Sequence, residues 1–207
     1  MDPRIEEHAR ILVDWSTRIE RDDDVVLSAG PDAHELLVAL ERELGARGAN
    51  PITLYSSDEA SRAYLKAHDG DFSLPEHTLA LYEACDAAIH IRSDANLASL
   101  NDVPGKTLAA RSRVTKPIIE ERLSKRWCLT QHPTNAHAQN ADLSLAAYRD
   151  FVYGAILRDW AAVEERQEEL RKRLDAADEV RVVAGDTDIS MRVGGMIAIN
   201  SAGRHNM

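Results

Sequence analysis

The fold is decided by residues 25–55, VVLSAGPDAHELLVALERELGARGANPITLY. Val25-Val26-Leu27 is a short apolar run of the kind that fills a buried strand, and it closes at Ser28-Ala29-Gly30. Pro31-Asp32 opens a helix, with Asp32 and Glu35 at capping-box spacing. Leu36, Leu40 and Leu44 recur at helical spacing and give one apolar stripe, and Gly48 is placed to stop the helix. Pro51 to Tyr55 then reads as a second strand. A strand, a helix and a strand in this order imply parallel pairing through a right-handed crossover.

The same grammar extends in both directions. Upstream, Asp2 and Pro3 begin a helix over 2–20 whose stripe is Ile5, Ala9, Leu12, Trp15 and Ile19. Downstream, Asp58 to Ala67 and Leu79 to Ala84 read as short helices, and Asp86 to Ile91 as a third strand. Arg92-Ser93-Asp94 falls at its carboxyl end, where open α/β sheets place ligands. A long helical stretch runs from Lys106 to about Ser124, interrupted at Pro117. Trp127 to Thr130 is a fourth strand. Ser144 caps a helix bearing Leu145, Tyr148, Phe151 and Ala155.

Asp159 to Ala177 is a charged helix with Glu168/Lys172 and Glu169/Arg173 at i,i+4, worth roughly 0.2–0.5 kcal/mol each on an exposed face. After it the pattern changes. Glu179 to Ala184 and Asp188 to Val193, separated by Gly185-Asp186-Thr187, predict an antiparallel hairpin. Met196 to Ile199 reads as a further strand. The expected architecture is α/β: a mainly parallel sheet flanked by helices, a Rossmann-like layered domain over 1–178. A β-rich segment over 179–207 reads as the start of a second, truncated domain.

Composition narrows the function. The chain has 207 residues, is 44% hydrophobic and carries a net charge of −10. That length is ample for a buried core. The negative charge argues against nucleic acid, whose phosphates need a basic face. No apolar run reaches 18 residues and the charged N-terminus lacks the apolar core of a signal peptide, so neither a membrane span nor a secretory signal is expected. Two distant cysteines fit a reducing cytoplasm. Only five of the cations are Lys, which fits either an Arg-favouring or high-salt source or an ordinary acidic cytosolic protein.

The densest chemistry lies at 126–142, RWCLTQHPTNAHAQNAD. Cys128, His132 and His137, with Asp142 nearby, are metal-ligating types. Their spacings, C-x3-H and H-x4-H broken by Pro133, are not those of a zinc site. Cys128 with His132 or His137 and Asn135 supplies the types for a nucleophilic cysteine. Yet Cys128 sits between Trp127 and Leu129 on an apolar strand, where packing is the expected role. Arg92, Arg111 and Arg113 could hold a small anion, or could be surface ion pairs. Asp186 and Asp188 could bind a hard cation, although Asp is a usual turn residue. No Gly-rich phosphate motif is present.

The order of short motifs adds a resemblance. Val25-Val26-Leu27 leads to Arg47-Gly48-Ala49-Asn50-Pro51 and then to a long Arg-bearing helix. Arg126-Trp127, Pro133-Thr134, Ala138-Gln139, Phe151, Trp160, Thr187-Asp188-Ile189 and Asn206-Met207 follow. This series resembles the N-terminal half of the thermophilic-type metallo-aminopeptidases, the aminopeptidase T and aminopeptidase S family. The resemblance implies a dimeric, cytoplasmic exopeptidase acting on peptides. It also implies two divalent ions (Zn, Co or Mn) held by a second domain, the first ligand a Glu shortly after an Asn-Met-Pro stretch. No ligand position falls within 1–207, so no catalytic or metal residue is expected here and no metal is expected in this chain. Without ligands the chain alone is expected to be inactive. Arg111, Trp127, Pro133, Thr134 and Asn135 are the residues expected to line one wall of the substrate cleft. Two other readings compete: a non-catalytic small-anion or partner-binding α/β module using Arg92, Arg111 and Arg113, and a Cys128-dependent enzyme.

Overall fold

A computed structural model describes residues 2–207. Four strands, β1 (Asp24–Ala29), β2 (Asn50–Tyr55), β3 (Ala87–Arg92) and β4 (Arg126–Gln131), form one parallel sheet in the order β2-β1-β3-β4. The chain leaves β1 toward β2 on one side and reaches β3 on the other. The β1/β3 boundary is therefore the point where strand order reverses, and a crevice opens there at the carboxyl ends.

Alternation along the strands builds two apolar layers. Val25, Leu27, Ile89, Ile91 and Cys128 face one side. Ile5, Ala9 and Leu12 of α1 (Pro3–Ile11) and the turn after it cover them, with Leu36, Leu40 and Leu44 of α2 (His34–Arg47). Val26 and Ala88 face the other side. They meet residues of α4 (Glu76–Ala84) and α5 (Gly105–Ser124), which pack Tyr82 and Ile118 against them. A third cluster joins Leu65 of α3 (Asp58–Ala67) to Phe72 and Val103. Gly48 ends α2 with φ +73°, the left-handed stop that glycine adopts freely.

The structure departs from the sequence reading at identifiable places. The first helix does not run to residue 20: it widens into a π-turn at Leu12–Ser16 and ends. Asp32 caps nothing; Pro31–Ala33 forms a 3₁₀ turn and α2 starts at His34 without a side-chain cap. Pro117 does not interrupt α5. It lies on the exposed face of the helix, one turn after the exposed Arg113 whose carbonyl it leaves without a donor. The strand expected at Met196 to Ile199 is irregular chain. Residues 205–207 pair instead along β4: Leu129 N–H donates to His205 O at 2.8 Å, and Met207 N–H to Leu129 O at 3.0 Å.

The described residues up to Leu157, with Arg204–Met207, form one compact unit, and Arg158–Gly203 another. In the first, α6 (Asn135–Asn140) and α7 (Leu145–Ile156) follow β4. The second holds α8 (Trp160–Asp175) and the antiparallel hairpin β5 (Glu179–Ala184) and β6 (Thr187–Arg192). On α8, Arg171 pairs with Glu168 at 2.7 Å and with Asp175, in place of the expected Glu168/Lys172 and Glu169/Arg173 pairs. Asn200 Nδ2 donates to Glu164 O at 2.9 Å, which ties the irregular segment to α8. No helix among the described residues is long and apolar enough to cross a membrane.

Candidate functional site

A cavity of about 1150 Å³ opens at the carboxyl ends of β1, β2 and β3. Its back is the strand-order reversal itself. There Gly30 N–H donates to Ser93 Oγ at 3.0 Å, tying the end of β1 to the end of β3. A Cβ on Gly30 would stand 3.0 Å from that same Oγ, so the close approach requires glycine or a shift of Ser93. His90 and Arg92 alternate on the β3 face that lines the cavity, and Arg122 of α5 reaches the same wall. Burial pushes the His90 imidazole below its usual range, and the positive charge of Arg122 adds to that.

The cations around the cavity differ in how they are matched. Arg62 grips Asp102 with two nitrogens, and Lys66 binds the same carboxylate at 2.9 Å. Together they hold the Asp102 carboxyl far below its ordinary range. Arg92 lies 3.8 Å from Asp94. Among the described residues Arg122 has no ion-pair partner, and its Nε is buried without a hydrogen bond.

The stretch at 126–142 resolves into a corner. Thr134 Oγ1 donates to Asp94 O at 2.7 Å and accepts the His137 N–H at 3.3 Å as the N-cap of α6. His137 Nδ1 lies 3.1 Å from that hydroxyl and Nε2 lies 3.0 Å from the Asp94 carboxylate. Both ring nitrogens are taken and the ring is 6% exposed, so His137 has no free nitrogen for a proton transfer or a metal. Thr134→Ala should therefore cost about 1–2 kcal/mol in a urea titration, the usual loss for a cap, because β4 and β3 lose their joint as well. An unchanged midpoint would show that the corner holds by packing alone.

Cys128 faces the core, and burial pushes its thiol up to about 12, partly offset by a hydrogen bond with Ser16. A thiol so far from its thiolate is a packing group rather than a nucleophile. Four other buried side chains, His8, Thr130, His132 and Tyr153, lie in the same region. His8 Nε2 contacts Thr130 Oγ1 at 2.8 Å, His8 and Tyr153 stand edge to face at 6.1 Å, and His132 directly follows the end of β4, two residues beyond Thr130. His8 Nδ1, His132 Nδ1 and the Tyr153 hydroxyl are all buried without a hydrogen-bond partner. Burial, with the neighbouring His132, holds the His8 ring down to about 3.

The residues singled out from sequence are dispersed. Arg111 lies over the rings of Tyr64 and Phe72 at 5.7 and 5.8 Å, a cation–π packing role. Arg113 donates to Ala109 O on its own helix. Arg92, Arg111 and Arg113 are thus not gathered, and only Arg92 borders the cavity. Trp127 packs on the α4–α5 side of the sheet and 5.1 Å from His205. Pro133 and Thr134 are buried and Asn135 is exposed at the start of α6. Asp188 is bound by Arg181 at 2.6 and 2.7 Å across the hairpin, while Asp186 is exposed in the turn. Among the described residues no three His, Cys, Asp or Glu side chains converge as metal ligands would.

His90 and Arg122 escaped the sequence reading, although a signal existed for each. In DAAIHI, His90 is the polar residue on the same strand face as Ala88, and Arg122 follows the buried Ile118 by one helical turn. A polar side chain that shares a face with a buried apolar one is the pattern that would have pointed there.

No curated protein matches the chain. Among solved structures it is similar to wild-type AmpT from Thermus thermophilus, at 18% identity and a TM-score of 0.75, over 92% of this chain and 53% of that one. A likeness to a cysteine desulfurase from Thermococcus onnurineus NA1 has 9% identity and a TM-score of 0.37 over 65% of this chain and 28% of that one, too slight to carry an argument. The chain spans about half the length of the AmpT chain, whose fold it shares in the parallel sheet and its helices. The family model for thermophilic metalloproteases (M29) matches residues 1–206, nearly every residue, and the chain belongs to that family.

Proposed function

We propose that the chain is the N-terminal α/β part of a metal-dependent aminopeptidase, a cytoplasmic homodimer that removes N-terminal residues from peptides. Its own task is to shape one wall of the substrate cleft and to support the dimer. The family match over residues 1–206 carries this reading. Coverage of 53% of the AmpT chain agrees with a role as one part of a larger machine. So does the apolar surface of residues 158–203: Val183, Ile189, Ile197 and Ile199 are all more than half exposed, a surface that a covering domain would bury. We draw the division at 178/179, with the β-rich segment 179–207 belonging to the catalytic part.

The residues described here do not fit a two-metal centre. No group of three donors converges, and His137 and Asp94 already satisfy each other. No step of hydrolysis is therefore assigned to them. In the complete enzyme, two divalent ions (Zn, Co or Mn) would polarise the scissile carbonyl and supply hydroxide. The purified chain 1–207, given a dipeptide with Co²⁺, Zn²⁺ or Mn²⁺, should release no free amino acid above the metal-only control. Metal-dependent turnover would overturn the assignment of chemistry to other residues. Sedimentation at micromolar concentration tests the dimer, and a monomer there would remove dimerisation from the role of this part.

A further inference from the structure

The cavity at the strand ends holds a cation that forms no ion pair among the described residues. Arg122 sits one turn after the buried Ile118 on α5, so it shares the sheet-facing side of the helix and is half-buried, with its Nε out of contact with solvent. Among the described residues its guanidinium meets no carboxylate, and its Nε is buried without an acceptor. A desolvated charged donor left without an acceptor is unfavourable. The neighbouring cations Arg62 and Arg92 both have acidic partners. His90 and Arg92 flank Arg122 on the cavity wall, at the sheet position where α/β folds hold ligands.

We infer that Arg122, with His90 and Arg92 beside it, binds the oxyanion head of a small organic molecule, a carboxylate or a phosphate, inside this cavity. The guanidinium fork matches two oxygens of either group. About 1150 Å³ is far more than a bare anion fills, so the ligand carries an organic body. That body extends toward Asp32, Asp58 and Glu59, which also line the cavity. It is therefore neutral or cationic there, which fits a singly headed ligand such as a zwitterion and disfavours a polyphosphate. The inference rests on the residues of this cavity and does not depend on the peptidase reading.

Titration calorimetry of the full 207-residue chain with inorganic phosphate and with acetate, against chloride at matched ionic strength, tests the inference. The expected result is saturable binding of at least one probe, the tighter one identifying the head group. Arg122→Gln should weaken it at least about tenfold, and Arg122→Lys, which keeps charge but loses the fork, should fall between. Absence of saturable binding by both probes, or equal binding by Arg122→Gln, overturns the site. Should Arg122→Gln fail to fold, an NMR titration of the unaltered chain decides. Shifts centred on the His90 ring and the Arg92 and Arg122 amides support it, and shifts confined elsewhere refute it.

Discussion

Leu40→Ala should lower folding stability by about 2–5 kcal/mol in guanidinium denaturation, while Leu123→Ala should change it by about 0.5 kcal/mol or less. The chemistry removed is the same in both. Leu40 is fully buried in α2, inside the cluster that joins β1, β3, α1 and α2, whereas Leu123 is 42% exposed near the end of α5. The larger cost has two parts. The deleted methyl groups lose their transfer free energy, and the surrounding Leu12, Leu27, Leu36 and Leu44 cannot collapse fully into the space. A domain of this size is stable by about 5–15 kcal/mol, so the first variant approaches the limit of folding. Equal costs at the two positions would mean that the α2 face is not the principal core.

The α2 stripe was legible because periodicity at i, i+4 is a backbone property: Leu36, Leu40 and Leu44 must share one face of any helix that forms. The parallel sheet followed from the same stretch, since one helical crossover between two apolar strands leaves few alternatives. What depended on side chains from distant segments was not legible. Nothing in 126–142 indicates that Asp94 waits opposite His137, because the pair spans 43 residues and is set by strand order. The cluster of Cys and His types therefore promised chemistry that the folded chain uses for joints and packing. The same limit hid the cavity. Its wall draws on β3 and α5, and the buried, unpartnered Nε of Arg122 is visible only once the two are folded together. The segment 196–199 misled in the opposite way. Alternating Met196, Ile197, Ala198 and Ile199 carry strand propensity, but among the described residues no strand pairs with them. Tertiary partners, not propensity, decide such a short run.

Acidification should weaken the fold well above the pH at which carboxylates titrate. His8 is fully buried, and burial together with His132 holds its ring down to about 3, against about 6.5 in an unfolded chain. The unfolded state therefore binds this proton first. Stability is complete above about pH 6.5 and declines as pH falls, by up to about 1.4 kcal/mol per unit, until the folded ring itself protonates. At pH 4.5 the loss from His8 alone is on the order of 2–3 kcal/mol. His132 and His90, both lowered chiefly by burial, add to it in the same direction. For His132 the charge of Arg149 reinforces burial, while Glu35 and Asp32 oppose it. Urea titrations at half-unit steps from pH 7.5 to 4.5 should show the midpoint falling through this window. His8→Gln removes the ionisable ring, so its profile should be flatter by about one proton even though its stability at pH 7.5 is lower. Parallel profiles for the two proteins would show that His8 is not held neutral. Tyr153 provides the internal contrast. Burial moves its hydroxyl up to about 12, so it stays protonated throughout the window and Tyr153→Phe should shift the whole curve without changing its slope. Since that hydroxyl is buried without a partner, its removal should cost little or even stabilise, the sign expected when an unsatisfied polar group leaves a core.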